Sequence, residues 1–335
     1  MFMKILVIGS NSFSGSNFVL ESLELGYEVI GVSRSEESKR VFLPYKWNKN
    51  SEKFESKFCF YKINLNKDLP EFLGIIDDFK PEIVVNFAAQ GMVAESWLNP
   101  THWYQTNVVS QVALHDELRK KSFIKKYVHI TTPEVYGSTD DGWINEETTF
   151  SPSTPYAVSR AACDLHLKSF FDSYDFPVIF TRAANVYGPG QQLYRLIPRT
   201  FLSCFTGLKM NLHGGGLSKR SFIHIKDVVK ATLKLAENGE PGTTWHISTN
   251  EIFSIKQIVE KICKITNTNF NEIVEISSER LGKDQNYLLD SQSLRKNFNW
   301  KEEISLDDGL KDTMQWIQSN LDNLVKLSWS YEHKT

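Results

Sequence analysis

The sequence Lys4-Ile-Leu-Val-Ile8, followed at once by Gly9-Ser-Asn-Ser-Phe-Ser-Gly15, decides the fold of this chain. A continuous apolar run is typical of a parallel strand that is buried on both faces. Phe18, Val19 and Leu23 follow with helical spacing, so the two glycines belong to a turn between a strand and a helix. Such a turn lets the backbone approach a pyrophosphate, and the helix N-terminus supplies free N–H groups. Many tight turns contain two glycines, so neighbouring residues must support a dinucleotide site.

The residues after the second strand bear on the choice of cofactor. Residues 27–32 resume a strand and complete a βαβ unit. Roughly twenty residues past the glycines, a dinucleotide site needs an acid for the ribose 2′-hydroxyl or an arginine for a 2′-phosphate. Ser33 and Arg34 stand there, so we expect NADP(H) to be favoured over NAD(H).

Two further strands are predicted over residues 59–64 and 81–89. The first brings Asn64 and Leu65 to the place of an adenine contact, and the second ends in small residues that let a cofactor lie close to the backbone. The predicted cofactor-binding residues are Gly9, Asn11, Ser12, Phe13, Ser14, Gly15, Ser33, Arg34, Asn64, Leu65, Ala88 and Ala89, together with Tyr156 and Arg160.

Repeated strand-then-helix periods up to Phe180 predict an α/β fold with a doubly wound parallel sheet, which is Rossmann-like and spans residues 1–184. Gly188-Pro-Gly190 and the glycines at 214–216 then interrupt the pattern. Short strands and helices continue to Trp316. We expect a smaller C-terminal α/β lobe over 185–320 that binds the substrate, with chain crossings between the lobes, and a tail over 321–335.

Thr131-Thr-Pro-Glu-Val-Tyr-Gly137 follows a β-rich run, so its hydroxyls and carboxylate are expected at the C-terminal end of a strand, where open α/β sheets bind ligands. Tyr156 and Arg160 are four residues apart and share one face of a helix. A free tyrosine has a pKa near 10, and a nearby cation favours its phenolate. We therefore expect Tyr156 to act as a base whose pKa Arg160 lowers. Such groups suit oxidation of an alcohol followed by transfer of a neighbouring proton.

Composition excludes several classes of partner. A net charge of −2 with interspersed acids and bases gives no basic face for nucleic acid, so a small-molecule partner is expected. The four cysteines are scattered without the spacing of a zinc site or a disulfide framework, and no metal site is expected. The sequence predicts neither a signal peptide nor a membrane span. A reduced, cytoplasmic location is the resulting expectation.

Several motifs together resemble the extended short-chain dehydrogenase/reductase family and, within it, the nucleotide-sugar 4,6-dehydratases. Thr132-Pro-Glu-Val-Tyr-Gly137 matches the family's Thr-x-Glu-x-Tyr-Gly, and Tyr156 matches the tyrosine of Tyr-x-x-x-Lys. The other matching motifs are Arg182-Ala-Ala-Asn-Val-Tyr-Gly-Pro189, Arg220-Ser-Phe-Ile-His-Ile-Lys-Asp227 and Arg280-Leu-Gly-Lys-Asp-Gln-Asn-Tyr287. Three positions depart from the family pattern: Ser12 replaces its middle glycine, Arg160 its lysine, and Pro133 the aspartate of many dehydratases.

The resemblance implies a reaction on a nucleotide-diphosphate sugar. Tyr156, assisted by Thr132, would take the C4 hydroxyl proton while the nicotinamide accepts hydride, and Glu134 would remove the C5 proton. Loss of the C6 hydroxyl and return of hydride would give a 4-keto-6-deoxy sugar, with the cofactor tightly bound and regenerated in each cycle. Because Pro133 cannot donate a proton, our hypothesis is that Glu134 passes its newly gained proton to the leaving hydroxyl.

The resemblance also implies where the nucleotide end binds. Guanidinium groups match oxyanions, so the diphosphate is assigned to Arg220 and Arg280, with Arg195 and Arg199 in support and Asn185 as a side-chain donor. His224 is interpreted as a packed strand residue rather than a catalyst. The aromatic-rich helices predicted over about 101–119 and 157–174 form either core or a homodimer interface.

Two other readings stay open. An epimerase or decarboxylase of the same family would use the same tyrosine and cofactor, although Glu134 argues against a simple 4-epimerase, which needs no base at C5. Pro133 and Arg160 also leave room for a non-catalytic homologue that only binds cofactor.

Overall fold

A parallel sheet is the central layer of the computed structural model, which describes residues 3–47, 51–139, 142–278, 286 and 288–334. Within this part of the chain the sheet has seven strands in the order β3-β2-β1-β4-β5-β7-β12. Its strands are β1 Lys4–Ile8, β2 Glu28–Ser33, β3 Phe58–Lys62, β4 Ile83–Asn86, β5 Lys126–Ile130, β7 Val178–Ala183 and β12 Thr244–Ile247. The predicted doubly wound α/β fold is therefore confirmed.

Short strand pairs lie outside the central sheet: β6 with β15, β8 with β11, β9 with β14, and β10 with β13. These strands are β6 Trp143–Ile144, β8 Asn185–Tyr187, β9 Met210–His213, β10 Lys219–Arg220, β11 Phe222–His224, β13 Phe253–Ser254, β14 Val274–Ser277 and β15 Leu288–Leu289. The helices are α1 Phe13–Glu24, α2 Leu69–Phe79, α3 Pro100–Tyr104, α4 Ser110–Leu118, α5 Pro155–Tyr174, α6 Leu196–Thr206, α7 Ile225–Asn238, α8 Ile255–Thr266, α9 Phe270–Ile273, α10 Gln292–Phe298 and α11 Leu306–Leu324.

Helices cover both faces of the sheet, which explains why β1 is apolar along its length. On one face, α1 and α7 contribute Phe18 and Val229 to a cluster with Val7. On the other, α2, α4 and α5 pack around Leu6, with Leu167 from α5 in that cluster. Burial of both faces removes apolar area from water at about 25 cal/mol per Å² and stabilises this layered arrangement.

The helix predicted over 101–119 is interrupted. Helix α3 ends at Tyr104, a single wide turn of π-helix spans Gln105–Val109, and α4 begins at Ser110. Helix α5 runs over Pro155–Tyr174, close to the predicted 157–174. The Thr154 hydroxyl caps its start by accepting from Ala157 N at 3.1 Å.

The smaller lobe packs α6, α8 and α11 around a separate cluster that includes Phe201, Ile262 and Ile317. Strand β12 belongs to the sequence range predicted for this lobe, yet it pairs with β7 in the central sheet. The chain thus crosses from one lobe to the other. The division at residues 184 and 320 itself stays a prediction.

The four cysteines are free thiols. Among the described residues, none of the helices has the length and apolar character needed to cross a bilayer. The same residues contain no group of three or more histidine, cysteine, aspartate or glutamate side chains arranged to hold a metal ion.

Candidate active site

A groove opens where β1 and β4 lie side by side and their following connections diverge to opposite faces. Gly9 adopts φ +83°, and a side chain there would place its Cβ 2.8 Å from Ala88 N. Only glycine therefore fits, and the backbone lies bare at this edge of the sheet. A cavity of about 490 Å³ covers it, lined among others by Gly9, Asn11, Ser12, Ser33, Arg34, Asn64, Leu65, Ala88 and Ala89.

Helix α1 points its N-terminus into this groove. Ser12 caps the helix, since its hydroxyl accepts from Gly15 N at 3.0 Å, and its φ of −71° is one that any residue can adopt. The departure from glycine at Ser12 is therefore compatible with the turn. Gly15 is needed for packing, because a Cβ there would approach Gly9 O to 2.3 Å. Phe13 and Ser14 line a second, adjoining cavity.

The end of β2 forms the far side of the groove. The Ser33 hydroxyl accepts from Asn11 N at 3.0 Å, and the Asn11 amide donates to the carbonyl oxygens of Ser35 and Glu36. Arg34 lines both cavities and donates from Nη1 to Lys334 O at 2.8 Å. These contacts place Ser33 and Arg34 side by side where a ribose edge is predicted.

The second cavity has a volume of about 600 Å³ and holds the predicted catalytic group, Thr132, Glu134, Tyr156 and Arg160. Strand β5 ends at Ile130, and Pro133–Tyr136 form a short 3₁₀ turn that Thr132 caps by accepting from Glu134 N at 3.3 Å. Helix α5 brings Tyr156 and Arg160 to the same space. Ser12, Arg34 and Ala89 line both cavities, so the two form one continuous cleft.

The environment of Tyr156 favours its neutral form. Burial raises the pKa of Tyr156 above its ordinary value and the Glu134 carboxylate raises it further, whereas Arg160 and a hydrogen bond with the Thr132 hydroxyl lower it. The contribution of Arg160 thus has the predicted sign. The prediction that the pKa lies below its ordinary value is wrong, because burial outweighs the guanidinium.

Arg160 lies beneath the cleft floor and is only 2% exposed. Its Nη2 donates to Ile130 O, and His129 Nε2 lies 3.3 Å from the same nitrogen. Its Nη1 is buried without a hydrogen-bond partner among the described residues. A buried N–H of this kind is costly unless a ligand oxygen completes it.

A charged pair lies behind His129. Arg182 Nη2 is 2.7 Å from Asp164 Oδ2, which also accepts from the Thr131 hydroxyl at 2.9 Å. Burial opposes ionisation of Asp164, but Arg182, His129 and Arg160 outweigh burial and hold its pKa below the usual value. Burial and Arg160 likewise lower the pKa of His129, so the ring is neutral at pH 7. Two guanidiniums and one carboxylate leave the floor of the cleft positive.

These features fit a nicotinamide dinucleotide. The exposed backbone at Gly9 accommodates a pyrophosphate. The Nη1 group of Arg160, which has no hydrogen-bond partner among the described residues, can donate to a ribose hydroxyl. Asn64 and Leu65 line the remote end of the same groove.

The residues predicted to bind the nucleotide sugar are only partly brought together. Asn185 and Arg195 line the second cavity. Arg199 instead stacks its guanidinium over the Trp329 ring at 4.9 Å. Arg220 is buried, donates to Lys219 O, and does not line either of the two cavities in the described part of the chain. Arg280 lies outside the described residues.

His224 is buried at the end of β11, and its Nδ1 accepts from Lys226 N, which agrees with a packed strand residue. Several lining residues were not predicted: Gln90, Gln192, Tyr194 and Tyr331. The break at Gly188-Pro-Gly190 signals a loop before Gln192 and Tyr194. The sequence around Tyr331 has no periodicity or motif that could have found it.

Comparison with known proteins gives the same picture. The sequence model of the GDP-mannose 4,6 dehydratase family matches residues 6–313. A trifunctional UDP-glucose 4,6-dehydratase, 3,5-epimerase and reductase of Arabidopsis thaliana is 31% identical over 277 residues, which are 82% of this chain. The chain spans 41% of that relative's length.

Two solved structures cover nearly the whole chain. A dTDP-glucose 4,6-dehydratase of Bacillus anthracis in complex with NAD has a TM-score of 0.83 at 29% identity, covering 96% of this chain and 98% of its own. A UDP-glucose 4-epimerase of Thermotoga maritima with UDP-glucose has a TM-score of 0.85 at 26% identity, covering 95% and 100%.

Proposed function

The chain belongs to the GDP-mannose 4,6-dehydratase family, and from this membership we propose that it is a nucleotide-diphosphate-sugar 4,6-dehydratase that forms a 4-keto-6-deoxy sugar. The observation that carries the proposal is the shared cavity of Tyr156 and Glu134. Tyr156 can take a proton from a hydroxyl, and Glu134 can take a proton from the carbon next to a ketone. Both side chains line the same cavity. That combination is required for a dehydratase.

The groove at Gly9 and the floor at Arg160 would hold the cofactor. Bound there, a nicotinamide dinucleotide supplies a hydride acceptor that later gives the hydride back. Tyr156 takes the C4 hydroxyl proton, and Thr132 orients the phenol by their hydrogen bond. The positive floor formed by Arg160 and its neighbours stabilises the phenolate.

Glu134 completes the elimination. A ketone at C4 acidifies the C5 hydrogen, and the Glu134 carboxylate, half-buried at the cavity wall, removes it. Pro133 is buried and its side chain carries no proton donor. We therefore assign Glu134 a second role, in which its new proton passes to the departing C6 hydroxyl to form water. C5 then takes a proton from solvent, which balances the hydride returned to C6.

Solved relatives carry NAD, which supports a nicotinamide dinucleotide in this groove. We propose in addition that Arg34 favours a 2′-phosphate, and hence NADP. Burial lowers the pKa of the Arg34 guanidinium, and a partly desolvated cation gains from an oxyanion partner. Among the described residues Arg34 donates one N–H, to Lys334 O, and an arginine has five N–H groups.

For the nucleotide sugar, Asn185 and Arg195 have the best-supported positions, since both line the cavity. The roles of Arg199, Arg220 and Arg280 stay predictions, as does a cytoplasmic location.

We also propose a homodimer through the helices near residues 101–119 and 157–174. Large apolar side chains are exposed on these neighbouring segments: Leu98, Tyr104, Val109, Val158 and Leu165. Exposed apolar groups in such number favour association. Sedimentation should show a dimer that Leu165→Glu converts to monomer, whereas Leu217→Glu, at a site elsewhere that is at least as exposed, leaves the dimer intact.

The activity is tested by incubating the purified chain with dTDP-, UDP-, GDP- and CDP-hexoses in deuterated water. A dehydratase gives a product lighter by one water with deuterium at C5. An epimer without deuterium at C5 would support a 4-epimerase, and loss of carbon dioxide from a sugar acid would support a decarboxylase. Cofactor binding without turnover would favour a non-catalytic homologue.

A further inference from the structure

Residues 327–334, here named the strap, follow α11 and run along the outer side of the cofactor groove. Leu327, Ser328, Ser330, Tyr331, Glu332 and Lys334 line the first cavity, opposite the glycine turn. Tyr331 lines the second cavity as well. The strap therefore forms one wall of the groove and reaches the junction between the two cavities.

Hydrogen bonds fix the end of the strap to the body of the protein. Lys334 O accepts from Arg34 Nη1 at 2.8 Å and from Gln90 Nε2 at 2.7 Å. Arg34 follows β2 and Gln90 follows β4, so these donors belong to two edges of the groove. The carbonyl bridges the groove between them.

Aromatic contacts hold the middle of the strap. The His333 ring is parallel to that of Trp103, with centroids 5.1 Å apart, and its Nε2 lies 2.9 Å from His102 Nδ1. Tyr331 meets the ring of Tyr194 edge-on at 5.5 Å. The contacts of Tyr331, His333 and Lys334 favour one defined position of the strap over a mobile one.

We propose that the strap is part of the dinucleotide site, and that Tyr331 is a binding residue at the junction between cofactor and nucleotide sugar. This inference rests on the proposed function. In an internal redox cycle the reduced cofactor must stay bound until the hydride returns. A wall fixed across an open groove slows escape of the cofactor, because the hydrogen bonds to Lys334 O and the ring contacts of Tyr331 and His333 must break first.

The test compares the full chain with a variant that ends at Leu327 and with Tyr331→Ala, each purified without added cofactor. Lys326→Ala is the matched control, since Lys326 is exposed and lies just before the strap. Bound cofactor per chain is measured after heat extraction, and turnover is measured with and without added NAD or NADP. Circular dichroism checks that each variant is folded.

The full chain and Lys326→Ala should retain cofactor. The shortened variant should retain roughly a tenth or less of the cofactor that the full chain holds, and Tyr331→Ala should lose less, with turnover restored by added cofactor. Equal retention of cofactor by all four proteins would overturn the proposed role of the strap. Greater retention by the shortened variant would also overturn it, because the strap would then compete with the cofactor for the groove. In both cases a working full chain leaves the dehydratase assignment standing. A full chain that neither holds cofactor nor turns over any sugar overturns both.

Discussion

The two ends of the cleft are built differently. At the catalytic end, Thr132, Glu134, Tyr156 and Arg160 are close in sequence and rest on a buried charged floor. At the ribose end, Arg34 meets Lys334, which is 300 residues away, through an exposed contact. Burial strengthens electrostatic effects, whereas solvent weakens them. Substitutions should therefore have large effects at the first end and small effects at the second.

The largest effect is expected for Tyr156→Phe. Removing the phenol hydroxyl removes the base for the C4 proton, and turnover should fall by about 10³-fold or more. The ring remains, so the retained cofactor should not change. Steady-state assay of the 4-keto product tests this, and near-normal turnover would assign the C4 proton to another group.

Glu134→Gln should abolish loss of water while leaving the first step intact. With substrate deuterated at C4, the label should still appear in the cofactor, as measured by mass spectrometry. Normal dehydration by this variant would remove Glu134 from the mechanism. Loss of the label transfer as well would show that Glu134 is needed earlier.

The same variant gives a prediction of pH dependence. Glu134 raises the pKa of Tyr156, so neutralising it should lower that pKa. The phenolate is the active form, and its fraction rises with pH through the pKa. The acid limb of label transfer should therefore move to lower pH in Glu134→Gln. A limb that moves upward would contradict the charge interaction between the two residues.

An intermediate effect is expected from the residue that positions Arg160. Replacing His129 by leucine removes the nitrogen 3.3 Å from Arg160 Nη2 and should lower kcat by roughly tenfold with little change in KM. His115→Leu is the matched control, because His115 is equally buried but hydrogen-bonds Tyr127 instead. Equal losses in the two variants would show a general stability effect.

The sequence predicted the catalytic end because its information is local. Apolar runs place the strand ends, and helical spacing places Tyr156 beside Arg160 on one face. The glycine turn was predicted in the same way, whereas the positive φ of Gly9 and the cap at Ser12 are findings of the structure. In the sheet β4 pairs with β1 and β5 pairs with β4, and this crossover of a doubly wound sheet assembles the groove.

What the sequence did not predict depends on packing between distant segments. The π-turn at Gln105–Val109, the His129 and Asp164 network beneath Arg160, and the docking of Tyr331 carry no local pattern. The direction of the Tyr156 pKa shift also depends on the three-dimensional structure. Motif spacing places the Arg160 cation near the phenol but does not show how deeply the phenol is buried. Arg220 belongs to a motif but is buried and does not line the second cavity, so its predicted contact with the diphosphate stays a prediction.

The smallest effect is expected at the ribose end, from Arg34→Ala. The side chain is partly exposed and already shares one N–H with Lys334 O, so solvent limits what a 2′-phosphate gains from it. NADP affinity should fall by roughly fivefold to tenfold while NAD affinity changes less, because only NADP carries the extra oxyanion. Titration of cofactor-depleted protein with each dinucleotide measures both constants, with Arg40→Ala as the control because Arg40 lies outside both cavities. Equal losses for the two cofactors would assign Arg34 to holding the strap rather than to reading the phosphate.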